Sequence, residues 1–244
     1  MGSSPFSLKP TGVNASKVFP FYVVCDVSRS MWDARFNVGQ AVTPLVTIEQ
    51  AMPDMLDVLA EDPTTYDTAH ISIIAFGDSP VPVLPLTPLR LDPRIPKLPR
   101  QYATNYAEVF RFLEWQLRQD QQRFAQARVG TYTPVIFFLT DGNPQVNGAA
   151  QPESTWFPVR QGLEHPQHPF RPIVVALGVG DNTPSTVLKL RSVNPAGVAC
   201  VADAGVVPSD LLRSVIHSIK HSITSSVGHG AFQFKTPAGM RKLS

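Results

Sequence analysis

Short apolar runs of β-forming residues alternate along this chain with longer helical patterns. That alternation predicts an α/β fold: a doubly wound, mostly parallel six-stranded sheet with helices on both faces. Two observations sharpen the expectation. Phe21–Cys25 and Val135–Leu139 are apolar throughout, as strands covered on both faces are. Pro80–Leu89 instead interleaves Val81, Val83 and Leu86 with prolines, which confines it to a sheet boundary, as one antiparallel edge strand.

The remaining elements follow in order. Strand one covers Phe19–Val27. Thr43 is placed to cap a helix with Pro44 in its first turn, running to about Ala60 with a kink or break at Pro53. His70–Phe76 reads as strand two, ahead of the proline-rich edge. The span from Asn105 to about Arg128 puts Tyr106, Phe110, Leu113 and Leu117 on one helical face, with Trp115 about opposite Tyr106. Trp115 and Phe112 thus meet a neighbouring helix or form a second contact patch. Pro134–Leu139 is strand four, and a helix lies within Glu153–Leu163. Ile173–Val179 is strand five, Val187–Leu190 a short helix and Val198–Ala202 strand six. Ser209 is read as the cap of a last helix carrying Leu212, Val215, Ile216, Ile219 and Ile223. Ala231–Lys235 either adds a strand or frays.

Composition narrows the class. The 244 residues carry 21 Lys and Arg against 19 Asp and Glu, a net charge of +2, so mixed signs argue against a general nucleic-acid surface. No Gly/Ser linker or charge run divides the chain, and one domain over 19–227 is expected, with an extension at 1–18 and a tail at 228–244. Met1–Lys17 has no long apolar segment, and no run approaches a membrane-spanning length. Gly2 is followed by Phe6 where a myristoylation motif needs Ser or Thr. Cys25 and Cys200 fall in apolar strands and read as core thiols, so a reducing cytoplasm is expected.

The chemistry concentrates after strand one. Asp26, Ser28 and Ser30 present a carboxylate and two hydroxyls at alternate positions, where open α/β sheets place ligands. All are hard oxygen donors of the kind Mg²⁺ or Mn²⁺ takes. An octahedral ion needs more. Asp141, in Thr140-Asp141-Gly142 after strand four, and Thr104, ahead of the long helix, would bring the protein ligands to five.

This order of Asp-x-Ser-x-Ser, then Thr, then Thr-Asp-Gly resembles the von Willebrand factor A (vWA) domain and its metal-ion-dependent adhesion site. The resemblance covers roughly Phe19 to Val227. It implies that Ser28, Ser30 and Thr104 ligate Mg²⁺ directly, and that Asp26 and Asp141 do so directly or through water. The runs Tyr22–Ser28, Ile71–Gly77, Thr104–Ala107 and Phe137–Gly142 are similar to bacterial vWA proteins associated with tellurium resistance and chemical stress. That similarity implies a cytoplasmic scaffold beside kinases, phosphatases or ATPases, with a partner's Asp or Glu completing the metal. Two departures stand out. Arg29 occupies a position often filled by Gly in those relatives; its guanidinium either points to solvent or pairs with a partner carboxylate at the rim. Asp33–Val42 looks longer than the usual link into the first helix. Trp32, two residues past the motif, is either a partner anchor or packed beneath that insertion.

Other features read as structure. His217 and His221 stand four apart on a helix without a third ligand. Gly178-Val179-Gly180-Asp181 lacks the third glycine of a dinucleotide fingerprint. Pro93–Pro99 has polyproline spacing but leads, as a rigid loop, towards Thr104. No base accompanies Ser28, so a non-enzymatic binding role is expected. The rivals are a vWA domain that binds partners without metal and, less favoured, a metal-dependent phosphohydrolase.

Overall fold

A computed structural model describes residues 17–36, 42–168, 170–179, 184–193 and 196–244. In chain order the elements are β1 (Phe19–Asp26), α1 (Arg29–Trp32), α2 (Pro44–Ala60), α3 (Pro63–Thr68), β2 (Ala69–Phe76), β3 (Pro80–Pro88) and α4 (Tyr106–Gln126). They continue with β4 (Val135–Thr140), the two-residue strands β5 (Gln145–Val146) and β6 (Ala149–Ala150), and α5 (Glu153–Gly162). β7 (Ile173–Gly178), α6 (Pro184–Leu190), β8 (Val198–Ala202), α7 (Pro208–His229) and β9 (Met240–Lys242) complete them.

The main sheet runs β3-β2-β1-β4-β7-β8-β9. β2, β1, β4, β7 and β8 are parallel, while β3 and β9 close the two edges antiparallel. Seven strands therefore replace the six expected, and both edges are antiparallel. The prolines of β3 lie on the outer edge, with register irregularities opposite Ile71–Ile74, because proline cannot donate to a second neighbour.

Alternation along β1 sorts the core into two layers. Phe21, Val23 and Cys25 face α2 and α7, in a cluster with Ile48, Met52 and Val215. Tyr22 and Val24 face the other way, among Phe110, Leu113, Trp156 and Val187 from α4, α5 and α6. Pro53 is accommodated inside α2, which runs continuously to Ala60. The helix α3 had no counterpart in the sequence reading; Asp62 caps it by accepting from the Thr65 amide at 2.7 Å, with Pro63 in its first turn.

The last helix departs from expectation at its start. Pro208, not Ser209, sits in its first turn, and Val207 is the cap residue, since proline's fixed φ suits the first helical position. Ala231–Lys235 forms no strand. Gln233 N donates to Ser226 Oγ at 2.8 Å and Lys235 N to Ser222 Oγ at 3.3 Å, while Ser218 Oγ donates to the Lys235 carbonyl. Buried serines four apart on α7 thus satisfy the tail's backbone, and the tail reaches the sheet only at Met240. Cys25 and Cys200 are buried free thiols. Among the described residues no helix is long and apolar enough to cross a membrane.

Candidate metal centre

The chain leaves β1 for β2 on one side and reaches β4 on the other, so the β1–β4 seam is the switch point where open α/β sheets bind ligands. Parallel register pairs Cys25 with Leu139, so Asp26 and Thr140 end their strands side by side. Both are fully buried. Thr140 Oγ1 donates to Asp26 Oδ2 at 2.8 Å, and Ser28 N donates to Asp26 Oδ1 at 2.9 Å. Tyr106, from the start of α4, donates its hydroxyl to Thr140 Oγ1 and to the Gly142 carbonyl, each at 3.0 Å.

Both Asp26 oxygens therefore hold the loop itself, which suits a role towards a cation through water more than a direct one. The Asp26 carboxyl is pushed up to about 8, first by burial and then by the negative charge of Asp141, against the hydrogen bonds from Ser28 and Thr140. Two carboxyls whose ionised forms repel inside the protein are what a divalent cation offsets.

Above them, Ser28, Ser30 and Thr104 line one cleft of about 410 Å³. Ser28 Oγ and Ser30 Oγ lie 3.4 Å apart, slightly wider than the edge of about 3 Å that two ligands 2.1 Å from Mg²⁺ would span. Thr104 is held from two sides. Its backbone pairs reciprocally with Gln145 at 2.8 and 3.0 Å, and Asn105 N donates to the Gly77 carbonyl at 2.9 Å. Gly77 permits this crossing, since a Cβ there would stand 2.5 Å from Gln101 Cβ. The structure thus gathers Ser28, Ser30 and Thr104 at one cleft, with Asp26 beneath and Asp141 within electrostatic reach of it. Among the described residues no group of three or more His, Cys, Asp or Glu side chains gathers to hold a metal. The set here is two carboxylates and three hydroxyls, a donor chemistry that fits Mg²⁺ or Mn²⁺ rather than Zn²⁺.

Arg29 lines the cleft but is tied back. Its Nε donates to Asp33 Oδ2 at 2.9 Å, and its guanidinium lies 5.5 Å over the Phe36 ring. Arg35 joins the same carboxylate, and hydrogen bonds from Arg35 and then Arg29 hold Asp33 well below the usual range. Asp33 thereby holds the Arg29 guanidinium to its own turn while sharing its single negative charge with Arg35. Trp32 is half-buried. Its Nε1 donates to the Gln101 carbonyl at 2.9 Å, and its ring meets Tyr102 edge-on at 5.4 Å. It braces the loop that delivers Thr104. Residues 37–41 of the Asp33–Val42 insertion, and Gly180 and Asp181 of the glycine pair, lie outside the described residues.

Several residues of the site were not singled out from sequence. Thr140 and Tyr106 orient Asp26. Gln151 Oε1 accepts from the Tyr106 and Ala107 amides at 3.1 and 3.3 Å, capping α4 from the loop beyond β4. The exposed aromatics of the cleft are Phe36 and Tyr102. Only Thr140 carried a signal, as the polar residue ending an apolar strand. The other contacts come from segments distant in sequence.

No protein-family model matches the chain, and no curated protein does. Solved structures do. A von Willebrand factor type A protein from Catenulispora acidiphila superposes with a TM-score of 0.52 at 15% identity, over 85% of this chain and 43% of that one. The fold is that of a vWA domain. The N-terminal domain of TFIIH p34 gives 0.57 at 11% identity, over 83% of this chain and 98% of that domain. The pilus adhesin SpaC from Lactobacillus rhamnosus GG gives 0.59 at 12% identity, over 85% of this chain and 30% of the adhesin. This vWA fold therefore spans less than half of two of these proteins and nearly all of the third.

Proposed function

We propose that this vWA domain is a metal-dependent protein-interaction module. Ser28, Ser30 and Thr104 would hold Mg²⁺ or Mn²⁺ directly, and Asp26 and Asp141 would act mainly through water. Bound there, the ion supplies a Lewis-acidic position that an Asp or Glu carboxylate of a partner protein can fill. The observation that carries this reading is the convergence of three hydroxyls on one cleft above the buried Asp26, at the β1–β4 switch point.

No histidine or lysine is among the described residues lining the cleft, and the carboxyl beside Ser28, that of Asp26, is already held by the Ser28 amide and the Thr140 hydroxyl. That supports binding over hydrolysis. The similarity of the strand motifs to bacterial stress-associated vWA proteins supports a cytoplasmic scaffold in a tellurium or chemical-stress system, beside its kinases, phosphatases or ATPases. That assignment rests on resemblance alone.

Calorimetric titration of Mg²⁺ and Mn²⁺ into chelator-treated protein tests the site, with Asp26→Ala alongside. Saturable binding, weakened in the variant and absent in Ser28→Ala/Ser30→Ala, supports the reading. Unchanged binding in the double variant, with its fold intact by circular dichroism, would sink it.

A further inference from the structure

At the opposite end of the sheet, on the face covered by α4, lies a separate cavity of about 600 Å³. Its volume is in the range of small-molecule sites, and its walls have their mixture of an apolar body and a few convergent polar groups. Leu86 from β3 and Phe124 from α4 are buried apolar walls. Arg90, Arg123 and His70 supply the polar side, with Asp67 exposed at the rim.

The polar groups have spare capacity. Arg123 commits Nη2 to Asp120 Oδ1 and the Leu86 carbonyl, which leaves its Nε and Nη1 donors without an acceptor in the described protein. The Arg90 guanidinium makes no hydrogen bond or ion pair among the described residues. His70 is nine-tenths buried, and its Nδ1 has no hydrogen-bond partner. Burial first, and then the charges of Arg123 and Arg90, lower the affinity of that imidazole for a proton. Asp67 at the rim and Asp120, which pairs with Arg123, match the two guanidiniums in number, so the pull on an anion comes from the donors left over on Arg90 and Arg123 rather than from excess charge.

Exposed guanidinium donors at the edge of an apolar wall, with a buried imidazole whose Nδ1 lacks a hydrogen-bond partner, offer a charged head and an apolar body separate places to rest. We infer that the cavity between β2, β3 and the end of α4 binds a small organic monoanion, an aryl or alkyl carboxylate or sulfonate. Its anionic head would lie on Arg90 and Arg123 and its body against Leu86 and Phe124. The site is separate from the metal cleft and does not depend on it.

The test titrates the full-length protein with 8-anilino-1-naphthalenesulfonate in buffer containing chelator, following fluorescence. Chelation keeps its outcome independent of the metal site. Uncharged N-phenyl-1-naphthylamine serves as the comparison ligand. Arg90→Ala removes a guanidinium that holds nothing else together, and Ala127→Trp fills the mouth from an exposed helix end. The expected result is saturable one-to-one binding, weakened about tenfold by Arg90→Ala, the effect of one charge-assisted hydrogen bond. Ala127→Trp should abolish it, and the uncharged naphthylamine should bind at least about tenfold more weakly. Absence of saturable binding would overturn the inference. So would binding that both folded variants leave unchanged.

Discussion

Replacing Thr140 with valine isolates one hydroxyl at the junction of fold and site. Thr140 is fully buried, and valine matches its shape, so the change opens no cavity. Four partner groups need to be followed, one of them the Gly142 carbonyl, which loses the Thr140 hydroxyl at 3.1 Å. Tyr106 retains the Gly142 carbonyl at 3.0 Å. Gly142 N loses only a long contact of 3.4 Å. Asp26 Oδ2 loses its donor at 2.8 Å, while Oδ1 keeps the Ser28 amide. One charge-assisted hydrogen bond to a buried carboxylate therefore disappears with no replacement, at a cost of about 2 kcal/mol, within roughly 1.5–3. For a domain of this size that corresponds to a fall in Tm of about 4–8 °C. The measurement is urea unfolding at pH 8.5, where Asp26, pushed up to about 8, is more than half ionised, with Thr140→Ser as the control that keeps the hydroxyl. The slope of the unfolding curve should not change. A loss below about 0.5 kcal/mol for Thr140→Val, or equal losses for the two variants, would refute the assignment of Thr140 as the residue that holds Asp26.

Three further outcomes are expected. Gly77→Ala would drive a Cβ against Gln101, costing about 1–3 kcal/mol as overpacking and displacing the Thr104 loop, so Mg²⁺ affinity should fall in a protein that calorimetry still finds folded. The imidazole of His70 is lowered to about 4, chiefly by burial. The unfolded chain then holds one more proton between about pH 6.5 and 4, so stability is full above about 6.5 and is lost as pH falls. His70→Gln should remove on the order of 2 kcal/mol of that acid sensitivity, read from thermal melts at pH 7 and pH 4.5. Finally, Trp32→Phe, which keeps the ring but not the bond to the Gln101 carbonyl, should cost about 1 kcal/mol. It should also increase hydrogen exchange at Gln101–Thr104, and unchanged exchange there would count against its bracing role.

The α/β architecture was legible because buried parallel strands are short, apolar and β-branched, and β1, β2, β4, β7 and β8 all satisfy that pattern. The edge position of β3 was legible for the complementary reason that its prolines forbid a second hydrogen-bonded neighbour. α3 was passed over because six residues carry too little periodicity to register, although Asp62-Pro63 marks its start. β9 was missed for a different cause. A three-residue strand has almost no pattern of its own, and its place depends on where serines across α7 tie down the preceding tail.

The same division runs through the candidate site. Ligand-type residues at the ends of strands show in one dimension, since Asp26, Ser28 and Ser30 come within five residues of one apolar run and Asp141 two residues past another. What sets their geometry does not. The Asp26–Thr140 bond depends on two strands 114 positions apart meeting in register, and Thr104 reaches the cleft because Gly77 lets a loop pass close over β2. The brace of Trp32 on Gln101, 69 positions away, is likewise a product of packing. Residue type and local periodicity are properties of neighbours along the chain, so the sequence by itself determined the layers and the donor chemistry. Register, loop crossings and the separate cavity around His70 depend on contacts between remote segments, and only the tertiary structure decided them.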